Sequence, residues 1–482
     1  MRTWPSLVLC AALSTSACQK AKQPDPTPPD SGGDAQVEPT TTGEGPSLLL
    51  RGAKVMTATG AIHEPGAVLV IDGKIAAVGP AAEVEAPEGV TVIELAATQV
   101  ITPGIIDTHS HMGVYASPGL SGNSDGNEAV APTTPYVRAE DGVWPQDPQF
   151  SHALAGGVTS AQILPGSANL IGGRSFTIKL RPNPRSAEDL RFPGAPAGLK
   201  MACGENPKRV YGEKGGPQTR MGNVAGHRKA FQAASEYQRQ WDDYQRDVAV
   251  WETGGSKGAD GKETKRPTPP ARDFGLETLV GVLEGDVLVH MHCYRADEMS
   301  LMLELAASFG FSIRSFHHAV EAYKIADRLA AANTSASVWA DWWGFKVEAY
   351  DGVRENAALI SKAGARAIIH SDSAEGIQRL NQEAGKAMYA GRRAGIDISE
   401  DQALVWLTLN PAWALGVDDQ TGSLEPGKMA DIVVWSGSPF SVYTRAEQVY
   451  IDGERVFDRS DPEGRPRTDF DLGLRDDLRG AP

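Results

Sequence analysis

From Ser47 to about Val100 the chain alternates short apolar runs with turn residues: SLLLRGAKVMT, GAVLVIDGKIAAVG and VTVIELAATQVIT. Asp72-Gly73 separates two such runs and signals a hairpin, because a two-residue turn needs positive φ at both central positions. The far C-terminus repeats this texture in MADIVVWSG and EQVYIDGERVF, with a second Asp-Gly at 452–453. All-β segments at opposite ends of one chain predict a small sandwich composed of 47–103 and 423–460.

Between them the period changes. Runs of strand length occur at GIIDTHSHM and then at 157–164, 175–180, 198–204, 286–293, 312–318, 335–342 and 365–373. Segments of helical spacing such as ADEMSLMLELAASFG lie between several of them. Eight strands with helical crossovers predict an α/β fold, a (β/α)8 barrel of the TIM type over 104–422. An insertion at about 223–270 separates the fourth and fifth strands: one long polar helix from 223 to 252, then the Gly-, Lys- and Pro-rich run TGGSKGADGKETKRPTPPA.

The N-terminus has a different character. MRTWPSLVLCAALSTSAC carries one Arg, an apolar run from Leu7 to Leu13, and small residues before Cys18, the layout of an export signal over 1–18. The run is too short to remain as a membrane-spanning helix. TSAC resembles a bacterial lipobox with Cys18 as the lipidated residue; Thr15 stands where Leu is usual, so plain cleavage competes. Residues 19–46, rich in Pro, Thr, Asp and Gly, lack the apolar side chains that offset ordering entropy and read as a disordered tether. The expectation is an exported bacterial protein, periplasmic or held at the outer membrane by its lipid alone.

Composition narrows this only a little. The 482 residues suffice for one large domain and a smaller one. A net charge of −15 without a basic stripe argues against nucleic acid or an anionic membrane surface as partner. Of the four cysteines, Cys10 and Cys18 belong to the leader. Two readings stand for Cys203 and Cys293: a disulfide if the compartment is oxidising, or two buried thiols behaving as small apolar residues, with the second preferred.

The ten histidines are not scattered. His109 and His111 end the first strand, His292 the fifth and His318 the sixth, while Asp372 ends the eighth. In such a barrel the loops after the strands converge at one mouth. Residues two apart share a face, so His109 and His111 project side by side. Singly, each is equally well a strand-end His bonded to a loop, or an Asp capping a helix. Together they offer the neutral imidazoles and carboxylate that Zn²⁺ takes. By the same alternation Cys203 and Cys293 point away from the metal side.

VITPGIIDTHSHMG, flanked by a sandwich split between the chain ends, resembles the amidohydrolase superfamily of metal-dependent hydrolases, close to its imidazolonepropionase-related and Xaa-Pro dipeptidase-like branch. The resemblance covers about 47–457. It implies that His109 and His111 hold the more buried metal. VHMHCYRADEM resembles the fifth-strand segment and implies His292 as a ligand of the second metal. RSFHHAVEAYK resembles the sixth, where His318 fits better than His317. IIHSDS resembles the eighth and implies Asp372 as both ligand and general base. Binuclear members bridge their metals with a carboxylate on the fourth strand, usually a carboxylated Lys. GLKMACGENPKR offers Lys200 within the strand, which is favoured, and Glu205 just past it as the alternative bridging ligand; Lys179 is a weaker rival.

The implied activity is hydrolysis of an amide bond in a small or peptide-like substrate. Two divalent ions, Zn²⁺ by ligand type, generate a bound hydroxide, and Asp372 carries the proton to the leaving nitrogen. Arg295 is a candidate carboxylate contact, with a surface salt bridge an equal reading; Tyr294, Trp339, Trp342 and Trp343 are a candidate pocket wall, though aromatics at this spacing more often pack barrel against helix. Two other readings stand beside this one. One is a mononuclear ring-opening or deaminase-type member, with deamination disfavoured because Glu298 lies too far past His292. The other is a metal-free binding lipoprotein of the same fold. Assembly into a homo-oligomer is left open.

Overall fold

The computed structural model describes residues 45–255 and 265–461. The leader, Cys18 and all but the last two residues of the tether lie outside them, as does 256–264 of the insertion. Among the described residues no helix is long and apolar enough to cross a membrane.

Seven strands open the chain: β1 (Leu48–Arg51), β2 (Lys54–Met56), β3 (Ile62–His63), β4 (Gly66–Ile71), β5 (Lys74–Pro80), β6 (Thr91–Glu94) and β7 (Val100–Pro103). Eight more form the barrel sheet: β8 (Ile105–Ser110), β9 (Val158–Ile163), β10 (Ile171–Lys179), β11 (Gly198–Ala202), β12 (Leu288–His292), β13 (Ile313–His317), β14 (Ser335–Val338) and β15 (Ala367–Ile369). Three close the chain: β16 (Ile432–Trp435), β17 (Ala446–Ile451) and β18 (Glu454–Asp458).

Strands from both ends of the described residues meet in one sheet. Its order is β18-β17-β16-β7-β2-β3, with β16 antiparallel to β7, and it faces a second sheet of order β5-β4-β1-β6. Leu48, Leu50, Val68 and Val70 of the smaller sheet pack on Val55, Ile101, Ile432 and Val434 of the larger. The alternate residues Val433, Trp435, Val449 and Ile451 join the barrel's own apolar core. Burial on both faces explains why β16 reads as an unbroken apolar run. Both Asp-Gly pairs turn as the sequence suggests, with φ of 51° and 78° at Asp72-Gly73 and 52° and 76° at Asp452-Gly453.

The barrel sheet runs in chain order from β8 to β15, and Asp372 N donates to His109 O at 3.1 Å where its two edges approach. One strand departs from the expected βα alternation. β10 is antiparallel to both β9 and β11. The cause is the short link of residues 164–170, because a parallel return needs a crossover of about a dozen residues or more. Reversal puts the end of β10 at the opposite mouth. Lys179 is therefore far from the histidines and pairs with Asp431 at 3.0 Å and with Asp452.

The long helix spans Arg220–Val250, capped by the Thr219 hydroxyl, and lays Phe231 against Phe311 with centroids 4.3 Å apart. Cys203 and Cys293 form a disulfide, so the buried-thiol reading is corrected. Register is the reason. Lys200, Met201 and Ala202 of β11 pair with His290, Met291 and His292 of β12, and the next pair in register is the two cysteines.

Candidate metal centre

Strand alternation aims most of the site. Val289 and Met291 of β12 enter the apolar core between strands and helices, which leaves His290 and His292 facing inward. Leu199 and Met201 of β11 do the same and turn Lys200 inward. His109 and His111 leave β8 side by side, with Nε2 atoms 3.3 Å apart.

Two residues arrive by leaving strand geometry. On β13, Phe316 faces out and His317 in, so a continuing strand would send His318 outward. Instead φ at His318 is 60°, and at Asp372 51°. Left-handed backbone at a non-glycine residue costs about 1–3 kcal/mol and persists where the surroundings over-determine it. At His318 it turns the side chain back into the barrel mouth, where Asp372 also lies.

These groups converge. Asp372 Oδ1 lies 3.2 Å from His111 Nε2 and 3.6 Å from His109 Nε2, and Oδ2 lies 3.6 Å from His318 Nε2. The His292 and His318 rings are 4.8 Å apart. The Lys200 amine sits 3.4 Å from His109 Nε2 and donates to Pro165 O at 3.0 Å. Asp372 and His111 are the open side, with 27% and 19% of their side chains exposed, while His109 has none.

His109, His111 and His318 each have Nδ1 tied and Nε2 turned to a shared space beside Asp372. His109 Nδ1 meets His317 at 2.9 Å, His111 Nδ1 donates to Leu164 O at 2.8 Å, and His318 Nδ1 meets His370 at 2.8 Å. The side-chain amide of Asn206 meets His292 Nε2 at 3.3 Å, and a half-turn presents its oxygen to a ring N–H there. His292 Nδ1 is left buried with no hydrogen-bond partner among the described residues. Burial, with the charges of neighbouring groups, holds His109, His292 and His318 well below the usual imidazole range, so all three are neutral donors at pH 7. Burial lowers Lys200 to about 7. Burial pulls Asp372 upward, but the His111 hydrogen bond and the charges of His111 and Lys200 outweigh it and leave the carboxyl below its ordinary value. Neutral nitrogens and an ionised carboxylate around one space fit a divalent cation.

Aromatic rings line one side. Tyr294 and Trp339 both stack on His318, at 5.7 and 4.6 Å, and Trp342 stacks on Trp339 at 5.0 Å. Trp343 lies exposed beyond them. The Lys346 ammonium sits 3.9 Å over Tyr294 and 3.6 Å from Glu205 Oε1. Glu205 thus turns to the rim and is not brought into the histidine cluster. Nor is Arg295, which forks onto Asp297 two residues away at 2.9 and 3.0 Å. Arg220, from the long helix, pairs with both Glu298 and Glu348, and Lys346 also meets Glu348 at 3.4 Å. Sequence reasoning missed Arg220, and it missed Asn206, His317 and His370 as partners of the ring nitrogens. The His317-His318 doublet and a histidine two residues before Asp372 were the available signals.

A barrel with this cluster at its mouth is that of a metal-dependent hydrolase. A family profile described as "Amidohydrolase family" matches residues 272–457. The crystal structure of an amidohydrolase from Thermotoga maritima superposes with a TM-score of 0.74 at 37% identity, covering 86% of this chain and all of that one. Amidohydrolase tasK of Hapsidospora irregularis is 36% identical over 409 residues, 82% of this chain and 39% of tasK, so the chain spans about two fifths of that curated relative. The chain belongs to the amidohydrolase superfamily, hydrolases acting on carbon–nitrogen bonds.

Proposed function

We propose that this protein is an exported hydrolase of small amide or dipeptide-like substrates, working with two divalent ions, Zn²⁺ by ligand type. The observation that carries the reading is the meeting of His109, His111, Lys200, His292, His318 and Asp372 at one barrel mouth, with Nε2 of His109, His111 and His318 turned to Asp372. His109 and His111 would hold one ion and His292 and His318 the other, with Asp372 beside the first pair. Lys200 lies between strands that carry both sets, its amine facing a carbonyl and an imidazole. Such an amine, carboxylated by CO₂, would bridge the two ions. When bound, the ions acidify a water and polarise the scissile carbonyl. Asp372, part-exposed at the mouth, would take the proton and return it to the leaving nitrogen. Tyr294 and Trp339 hold His318 in place by stacking and wall the substrate on that side. Export rests on the leader pattern, and the Cys203–Cys293 disulfide supports it, since such bonds persist in oxidising compartments.

The test is metal content per chain, on protein lacking 1–46 and purified without chelator, beside hydrolysis of a dipeptide and cyclic-amide panel. Two equivalents, falling to one or none in Lys200→Ala, are expected. One equivalent unchanged by that substitution would remove the bridge and bring forward a mononuclear ring-opening enzyme. A metal-free chain that hydrolyses nothing would leave a binding protein of the same fold.

A further inference from the structure

Beneath the proposed ligands lie three histidines that bind nothing in the reading above: His290, His317 and His370, all fully buried. They are not idle. His317 Nδ1 faces His109 Nδ1 at 2.9 Å, and its other nitrogen, Nε2, faces His290 Nδ1 at 3.0 Å. His370 Nε2 faces His318 Nδ1 at 2.8 Å.

A neutral imidazole carries one proton, so the order of these contacts fixes where each proton sits. His109 can offer Nε2 to a cation only if its proton is on Nδ1. That proton is then donated to His317 Nδ1, which must be bare, and His317 keeps its own proton on Nε2 for His290. His318 likewise offers Nε2 only with its proton on Nδ1, donated to a bare His370 Nε2. His109, His317 and His370 also place one nitrogen each close enough together to suggest a cation site. The 2.9 Å contact between His109 and His317 within that group is too short for a shared ion, because two nitrogens on one tetrahedral ion sit about 3.3 Å apart.

We infer that His317 and His370 are positioning residues: each accepts the Nδ1 proton of a metal ligand, His109 and His318 respectively, and so locks its tautomer and ring angle. The inference rests on the metal-hydrolase reading. A carboxylate or carbonyl usually fills this place behind a metal-bound histidine, and losing it typically costs 10–100-fold in metal affinity. Here two of the four ligand histidines lean on other histidines.

Amide replacements separate this role from packing. Asn places its side-chain oxygen near the Nδ1 position of the histidine it replaces, and Gln places its oxygen near Nε2. His109 needs an acceptor at Nδ1 of residue 317; His318 needs one at Nε2 of residue 370. The rescue pattern should therefore cross. His317→Asn and His370→Gln should hold metal within about threefold of the parent, while His317→Gln and His370→Asn should lose on the order of 10–100-fold. The readout is the Zn²⁺ dissociation constant by competition with a chromophoric chelator on the folded chain, with circular dichroism checking each fold. Equal losses for both amides at each position, or no loss for any, would overturn the inference. If a variant fails to fold, ¹⁵N-histidine spectra of the parent chain decide instead: protons on Nδ1 of His109 and His318 support it, and a proton on Nε2 of either refutes it. A parent chain that binds no Zn²⁺ refutes the hydrolase reading instead, and the parent's histidine spectra still decide the tautomers.

Discussion

Reducing the Cys203–Cys293 disulfide should destabilise the fold strongly while leaving the metal centre almost untouched. The bond closes a loop of 90 residues. Cross-linking at that separation removes unfolded-chain entropy worth about 4.5 kcal/mol at 25 °C. The native state gains little from the bond, because the strand ends it joins are already paired: Cys203 N donates to His292 O at 2.9 Å and Cys293 N to His317 O at 3.1 Å. Both sulfurs lie on the apolar side of the sheet, with Met201 and Met291 and away from Lys200 and His292. The assay is urea unfolding followed by tryptophan fluorescence, with and without reductant. Chelator in both arms keeps metal binding from masking the difference. An oxidised form more stable by about 4 kcal/mol, with Zn²⁺ affinity changed less than threefold, is expected. Two thiols titrating in the denatured, unreduced chain would refute the bond itself. Equal unfolding midpoints in both arms would refute the loop-closure reasoning.

Two further predictions concern buried charge away from the metal centre. Lys179→Met should cost about 3–5 kcal/mol in urea unfolding, because it strands Asp431, only 1% exposed, without its cation; a loss under 1 kcal/mol would show that the pair is not holding barrel to sandwich. His227, whose Nε2 donates to Ala202 O at 3.1 Å, is lowered by burial to about 4. Its unfolded form binds the proton near 6.5, so its contribution is complete above that pH and lost as pH falls toward 4. The parent should lose about 2 kcal/mol through this group between pH 7 and 5. In His227→Gln that part of the slope should vanish, and an unchanged pH profile would deny it.

Most of the site was legible because its residues obey period two. Lys200 and His292 lie on strands whose alternate positions are apolar, so the core face fixes where they point, and His109 and His111 share a face by standing two residues apart at the end of β8. His318 breaks that rule. Its backbone turns left-handed at the strand end, where alternation alone would have sent the side chain out among the helices. Its place at the end of a strand, like that of Asp372, already marked it as a candidate, and the motif resemblance supplied the choice of His318 over His317. For Arg295 the sequence left a substrate contact and a surface salt bridge equally open, and Asp297, two residues on, takes the guanidinium as the salt bridge.

The remaining surprises are all matters of pairing between distant segments. The reversed β10 was written in the length of 164–170, too short for a crossover, but the list of strands carried no directions. The disulfide was written in two matching phrases 90 residues apart, Lys200-Met-Ala-Cys203 and His290-Met-His-Cys293, which align residue for residue once β11 and β12 pair in parallel. The histidine contacts beneath the metal centre have the same origin. His109 lies 208 residues from His317, and His318 lies 52 from His370. Local pattern says which way a side chain points; only register says what it meets. In this barrel most of the proposed ligands depend on the first kind of information, and the contacts inferred to orient them depend on the second.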